Sequence, residues 1–264
     1  MDLELDTPLT DSGAGRAVSE SSFLSGPDAG ARLREGLTRY KFLVLRGIGK
    51  APEDAMRVLR LLGELVQHEK REEGVLNLDG SKDEAEVLRG QEYMPLHKDG
   101  LLMGIQVAYV GIFCARFRGV ANGRTLLCDA QSAIAQLPDG LLDTLERRGI
   151  EARAVDTDYY LEGGASWYPL PAVVRRASGP SLNLGLPYAE GARPSWLVRV
   201  AGVDSEVSTR ALAALEDVLM SERFLYRHEW AEGDLLLFDN HRMLHGREAY
   251  TGDRVLANLQ VREE

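Results

Sequence analysis

The stretch Leu96-His97-Lys98-Asp99-Gly100 constrains this chain more than any other. His97 and Asp99 stand two residues apart. On a strand, where side chains alternate between faces, both point the same way. An imidazole and a carboxylate offered from one rigid element are two donors for one divalent metal ion. A third donor must then come from elsewhere in the chain. H-x-D triplets arise often by chance, so the weight of this one depends on a matching second half.

That second half follows the apolar run Leu235-Leu236-Leu237-Phe238. The segment Asp239-Asn240-His241-Arg242-Met243-Leu244-His245-Gly246-Arg247 offers two histidines, and either His241 or His245 completes the set. Two histidines and a carboxylate bind one face of a non-haem Fe(II) ion and leave three positions open. Those suffice for a bidentate 2-oxo acid and dioxygen. A 2-oxo acid with a distal carboxylate needs a cation deeper in the fold. Arginine suits it, with a forked donor pair and a charge that is never lost. Arg254, at the head of the last β-like run, is the first choice and Arg247 the second.

The 264 residues are read as one domain with a substantial core. A net charge of -10 argues against a nucleic-acid partner, whose phosphates require a basic face. Cys114 and Cys128 read as small buried residues of a cytoplasmic protein, and no apolar run reaches membrane-span length. The expected partner is a small molecule; homo-oligomerisation is left open.

Residues 1–30 are expected to form a loosely held arm, with at most one short strand. Leu33 and Leu37 give Ala31–Tyr40 helical spacing, Phe42–Leu45 reads as a buried strand, and Pro52 opens a second helix. Residues 68–90 are polar and read as a loop, either a candidate lid over the site or a solvated insertion. Gly104–Phe117 reads as one or two core strands and Asn122-Gly123 as a turn before the strand Thr125–Cys128. Ala130–Arg148 reads as a helix interrupted at Pro138-Asp139-Gly140, and Ser205–Met220 as an amphipathic helix. Many short strands with two or three flanking helices suggest a mostly β protein, a sandwich or jelly-roll barrel. His68 and His228 are read as surface residues or as supports behind the site.

The paired motifs resemble the taurine dioxygenase and clavaminate synthase group of Fe(II)/2-oxoglutarate-dependent oxygenases, and within it carbapenem synthase above all. The likeness covers roughly residues 30–262. It includes Gly123-Arg124-Thr125-Leu126-Leu127-Cys128-Asp129, Asp158-Tyr159-Tyr160, Pro194-Ser195-Trp196 and Trp230-Ala231-Glu232-Gly233-Asp234-Leu235-Leu236. The resemblance implies a double-stranded β-helix (jelly-roll) barrel, with Fe(II) held by His97, Asp99 and His245. It also implies 2-oxoglutarate as co-substrate and dioxygen as oxidant. Arg254 would pair with the far carboxylate of 2-oxoglutarate, Thr125 would hydrogen-bond to it, and Arg247 would line the site near its other end. Tyr160 falls where carbapenem synthase has a hydrogen-donating tyrosine, and Trp196 at a substrate-side tryptophan.

One departure matters. Carbapenem synthase anchors its substrate carboxylate through a further arginine on the last strand, where this chain places Asn258, and an amide does not replace that forked, charged contact. The expected substrate is another small amino-acid-derived or natural-product metabolite, or one anchored differently. The expected outcome is hydroxylation, desaturation or epimerisation, with succinate and CO2 as co-products. Two other readings stand beside this one. A cupin-like metal-dependent isomerase or hydrolase would need neither Arg254 nor 2-oxoglutarate, and a ligand-binding barrel would need no metal. Thr125 also fits as a plain β-branched strand residue and Tyr160 as core filling.

Overall fold

The computed structural model describes residues 7–19, 24–67, 73–80, 88–102, 104–155 and 166–263. Two sheets carry the site. The larger has six strands in the order β1 (Arg16–Ser19), β2 (Phe42–Arg46), β13 (Leu235–Asp239), β5 (Val107–Asn122), β15 (Tyr250–Arg262) and β3 (Val75–Leu78). The smaller runs β12 (Leu225–His228), β6 (Thr125–Cys128), β14 (Leu244–Arg247), β4 (Met94–His97). Beside it, β7 (Ile150–Ala154), β8 (Tyr168–Leu170) and β11 (Trp196–Val200) form a three-stranded sheet, and β9 (Val173–Arg176) pairs with β10 (Gly179–Leu182). Within these sheets β1 joins β2 in parallel, and the other pairings are antiparallel.

Both faces of the larger sheet are buried along its central strands β2 and β13, so these read as unbroken apolar runs instead of alternating ones. Leu43, Leu45, Leu235 and Leu237 pack with Leu33 and Leu37 of α1 (Ala29–Tyr40) and with Val58 and Leu59 of α2 (Pro52–Arg60). The alternate residues Phe42, Val44, Leu236 and Phe238 meet Leu127 of β6 in the layer between the sheets. The smaller sheet repeats the scheme. Leu126, Cys128 and Leu244 face away from that layer, onto Ala133 of α3 (Ala130–Ile134) and Leu212, Leu215 and Leu219 of α5 (Ser205–Leu219). Full burial of each such leucine contributes roughly 1.5–3 kcal/mol. These outer faces therefore hold the sheets in register and leave the inner faces to the site.

Local signals explain the helix ends. Pro52 opens α2, and the Asp54 carboxylate accepts from the Lys50 and Ala51 N–H groups at 2.8 and 3.1 Å. Asp204 caps α5 by accepting from Val207 N at 2.8 Å. The interruption expected at Pro138 separates α3 from α4 (Asp139–Arg148). Asn122 and Gly123 both take positive φ, 61° and 81°, which a tight turn between strands demands.

Four expectations are corrected. The described residues hold five helices, not two or three. The described part of the N-terminal arm is tied down: β1 extends the large sheet, Ala14 is buried, and Ser12 Oγ donates to Asp129 at 2.7 Å. Within 68–90, Val75–Leu78 forms β3, an edge strand on β15; four residues with three apolar ones, broken by Asn77, are too short to stand out in a polar stretch. Val107–Asn122 is one sixteen-residue strand, because its polar second half pairs with Tyr250–Val255. Among the described residues no helix is long and apolar enough to cross a membrane.

Gly246 lets β4 and β14 approach closely. A methyl group built on it would lie 2.7 Å from the Met94 carbonyl oxygen and 3.2 Å from the Leu96 nitrogen. Gly246→Ala is expected to lower the unfolding free energy by about 1–3 kcal/mol, the usual cost of overpacking. Urea unfolding reads this, and an unchanged midpoint would mean that β4 and β14 part freely.

Candidate functional site

β4 and β14 lie side by side with His97 directly opposite His245. Asp99, just past the end of β4, turns in with them. Donor atoms of the three lie within 4.8 Å of one another. Asp99 Oδ1 is 3.6 Å from His97 Nε2 and 3.7 Å from His245 Nε2, and the two rings are 4.2 Å apart. His97 Nδ1 sits 2.9 Å from the Pro95 carbonyl oxygen, which can only accept, so Nδ1 is the donor and Nε2 is the ring atom turned toward Asp99. Burial pushes His245 down to about 3, and His97 adds to the effect while Asp99 opposes it. Its ring is therefore neutral at physiological pH, the form that ligates metals. His241 lies outside this group, with its Nε2 3.5 Å from Glu263 Oε2.

Asp99 is fixed at both ends. Fully buried Asn240 accepts from the Asp99 N–H at 3.2 Å and donates to the Asp99 and Val107 carbonyls at 3.0 and 2.9 Å. Carboxylate oxygen Oδ2 accepts from Asn258 Nδ2 at 3.2 Å and from Gln260 Nε2 at 2.6 Å. With Oδ2 so engaged, Oδ1 is the oxygen that faces the imidazoles. Asn258, expected where a substrate-anchoring arginine would stand, thus holds a carboxylate of the protein itself. Gln260 was not expected at all, and the signal for it is period-two spacing: Arg254, Leu256, Asn258 and Gln260 share one face of β15.

These groups line an open-mouthed cavity between the sheets, about 820 Å3 with the solvent at its mouth included. Arg254 reaches into it from β15 and is 1% exposed. Its Nη1 donates to the Gly123 carbonyl at 2.6 Å, and its guanidinium lies 4.0 Å from the centre of the Tyr250 ring. Its Nε has no partner, and among the described residues no carboxylate pairs with it. Burial pushes its pKa down to about 10, which leaves it charged at neutral pH. A buried, uncompensated cation is costly unless an anion joins it, so the cavity fits a carboxylate at this end. The far carboxylate of 2-oxoglutarate meets that requirement.

Thr125 also lines the cavity. Its Oγ1 accepts from Trp230 Nε1 at 3.1 Å, which leaves the hydroxyl hydrogen to donate. Arg247 lines the wall but spends two donors on the protein, on the Glu92 carbonyl at 3.0 Å and the Leu88 carbonyl at 2.8 Å. Trp196 packs 5.0 Å from the His97 ring, with its indole N–H given to the Leu186 carbonyl at 3.0 Å. It therefore presents a ring, not a donor. His228 is fully buried, not a surface residue, with Asp234 3.5 Å away. Tyr160 and His68 lie outside the described residues.

The family described as "Taurine catabolism dioxygenase TauD, TfdA family" matches residues 5–260. Tyrosine isonitrile desaturase of Erwinia amylovora is 26% identical over 247 residues, 90% of this chain and 80% of that enzyme. The (S)-phenoxypropionate/alpha-ketoglutarate-dioxygenase of Sphingobium herbicidovorans is 27% identical over 194 residues, 66% of this chain and 63% of that enzyme. Among solved structures, PvcB from Pseudomonas aeruginosa superposes with a TM-score of 0.71 at 23% identity, over 98% of this chain and 88% of that one. PvcB is described as an Fe, alpha-ketoglutarate dependent oxygenase from an isonitrile synthetic pathway. At that identity the likeness is one of fold.

Asn240→Ala strips the Asp99 backbone of its clamp and leaves buried groups unpaired. The expected cost is roughly 1–3 kcal/mol in urea unfolding, together with weaker Mn(II) binding by calorimetry. Unchanged Mn(II) affinity in the folded variant would count against the clamp.

Proposed function

The chain belongs to the TauD/TfdA dioxygenase family, and from that membership we propose that it is an Fe(II)/2-oxoglutarate-dependent oxygenase acting on a C–H bond of a small metabolite. In this reading the two facing sheets are the walls of a closed double-stranded β-helix, open at the mouth of the cavity. His97, Asp99 and His245 hold the iron. Arg254 pairs with the far carboxylate of 2-oxoglutarate, and the Thr125 hydroxyl donates to the same co-substrate. Iron and co-substrate, once bound, supply oxidative decarboxylation to succinate and CO2 and the power to oxidise a C–H bond.

The chain's own residues do the rest. His245 stays neutral, His97 is aimed by its Nδ1 contact to the Pro95 carbonyl, Asp99 brings the negative charge, and the Arg254 end fixes which way the co-substrate enters. The observation that carries the reading is the buried guanidinium without a carboxylate partner in the same cavity as the three donors. A cupin-like isomerase or hydrolase gives that cation no task.

Leu76, Leu78, Leu88, Met94 and Leu102 make the remaining walls largely apolar. A substrate with a substantial apolar body fits them. Relatives named for a tyrosine isonitrile and for phenoxypropionate agree with that. Trp196, and Tyr160 by its resemblance, are assigned to the substrate side. At the position where the resemblance to carbapenem synthase would put a substrate-anchoring arginine, Asn258 is engaged with Asp99 instead. Desaturation and hydroxylation are the favoured outcomes, on an amino-acid-derived or related metabolite.

Anaerobic addition of Fe(II) and 2-oxoglutarate is expected to produce a weak visible metal-to-ligand charge-transfer band. Asp99→Ala should remove both the band and succinate formation. In Arg254→Met, loss of a buried charge partner should weaken 2-oxoglutarate by roughly 2–5 kcal/mol, more than tenfold in apparent Kd. A well-folded wild-type protein without the band would overturn the reading.

A further inference from the structure

We propose that Gln260, assisted by Asn258, is a positioning residue for Asp99: the two amides pin Oδ2 so that the carboxylate binds metal through Oδ1 alone. This rests on the reading of Asp99 as a ligand. Gln260 and Asn258 stand on an inner strand of the large sheet, where β15 is flanked by β5 on one side and β3 on the other. Supports on so rigid an element hold a ligand better than supports on a loop. An ionised carboxylate oxygen only accepts, so the Gln260 nitrogen is the atom that must face it; the amide orientation follows from chemistry.

Gln260 is 2% exposed, and its other amide atom, Oε1, is buried without a hydrogen-bond partner. A methionine or leucine would avoid that penalty. A buried amide kept at such a cost points to the work of its nitrogen, the 2.6 Å contact to Asp99. Neutral donors matter here as well. They fix Oδ2 without placing a positive charge beside a bound dication, so the carboxylate keeps its full charge for the metal. Holding it to one oxygen also keeps open the positions that a bidentate co-substrate and dioxygen require.

Gln260→Met removes the donor at nearly constant volume. Mn(II) affinity, followed by electron paramagnetic resonance, is expected to fall 10–100-fold, the usual effect of losing a group that orients a ligand. The visible d–d bands of the Co(II) form should change with it. In contrast, the urea midpoint of the metal-free protein should hold or rise, because the unmet Oε1 has gone. Gln260→Asn, one methylene too short to reach, should lose affinity in the same way and serves as the test if the methionine variant does not fold. Mn(II) affinity within twofold of wild type in either variant overturns the proposal. So does a metal-free midpoint that falls in step with affinity, the mark of a merely structural residue. Wild type and Asp99→Ala separate the two levels. If wild type binds no Mn(II), the oxygenase reading fails and takes this proposal with it; if only Asp99→Ala loses binding while Gln260→Met keeps it, the proposal alone fails.

Discussion

The site depends on one strand pairing, β4 against β14, in the register that sets His97 opposite His245. A slip of one residue would turn every side chain of β14 to the other face and exchange His245 for Leu244 or Gly246. The register is held from the far side. Leu96 and Leu244 are buried there with Leu126 against the α3 and α5 layer, and β6 pairs with the other edge of β14. Gly246 allows the close approach. Geometry at the donors is thus a consequence of hydrophobic packing on the opposite face, where no metal chemistry takes place.

A second chain of contacts explains why Trp230-Ala231-Glu232-Gly233-Asp234 belongs with the site although none of its residues faces the donors. Asp234 accepts from the Ala231 N–H at 3.0 Å, pairs with Arg46, and lies 3.5 Å from His228 Nε2. Burial lowers the His228 pKa, which favours a neutral ring, and that ring meets Trp230 edge-on at 4.3 Å. Trp230 in turn donates to Thr125, which stands opposite His228 in the β12–β6 pairing. The turn therefore orients a hydroxyl in the cavity through a buried tryptophan. Such polar chains cost little when each member has a partner and fail badly when one is removed.

Much of this was legible in residue order, and the limits have physical causes. The short separation of His97 and Asp99 marked them as a pair, although Asp99 sits in the turn past β4 and not on the strand, and the apolar run before Asp239 announced the strand that leads to His245. The proline at its start marked α2, apolar spacing marked α5, and Asn122-Gly123 marked the turn, since these are local signals. Residue order alone left His241 and His245 as alternatives and only the resemblance chose His245, because which of them faces His97 is a matter of cross-strand register. The β3 strand was missed because Val75–Leu78 gains its stability from β15, far along the chain. The contact between Gln260 and Asp99 was invisible for the same reason: an amide in a strand carries no sign of its partner.

Along the inner face of β15 the order is cation, leucine, amide, amide, and this order divides the cavity. Arg254 makes one end attractive to a carboxylate, and Leu256 separates that charge from the end that holds His97, Asp99 and His245. There Asn258 and Gln260 are neutral and already engaged with Asp99. An anionic group on a substrate finds no arginine on this strand near the donors. The opposite walls carry Trp196, whose indole N–H is already used, together with apolar surface and the cations Lys98 and Arg247. A hydrophobic wall discriminates by shape and size and only weakly by single methylenes.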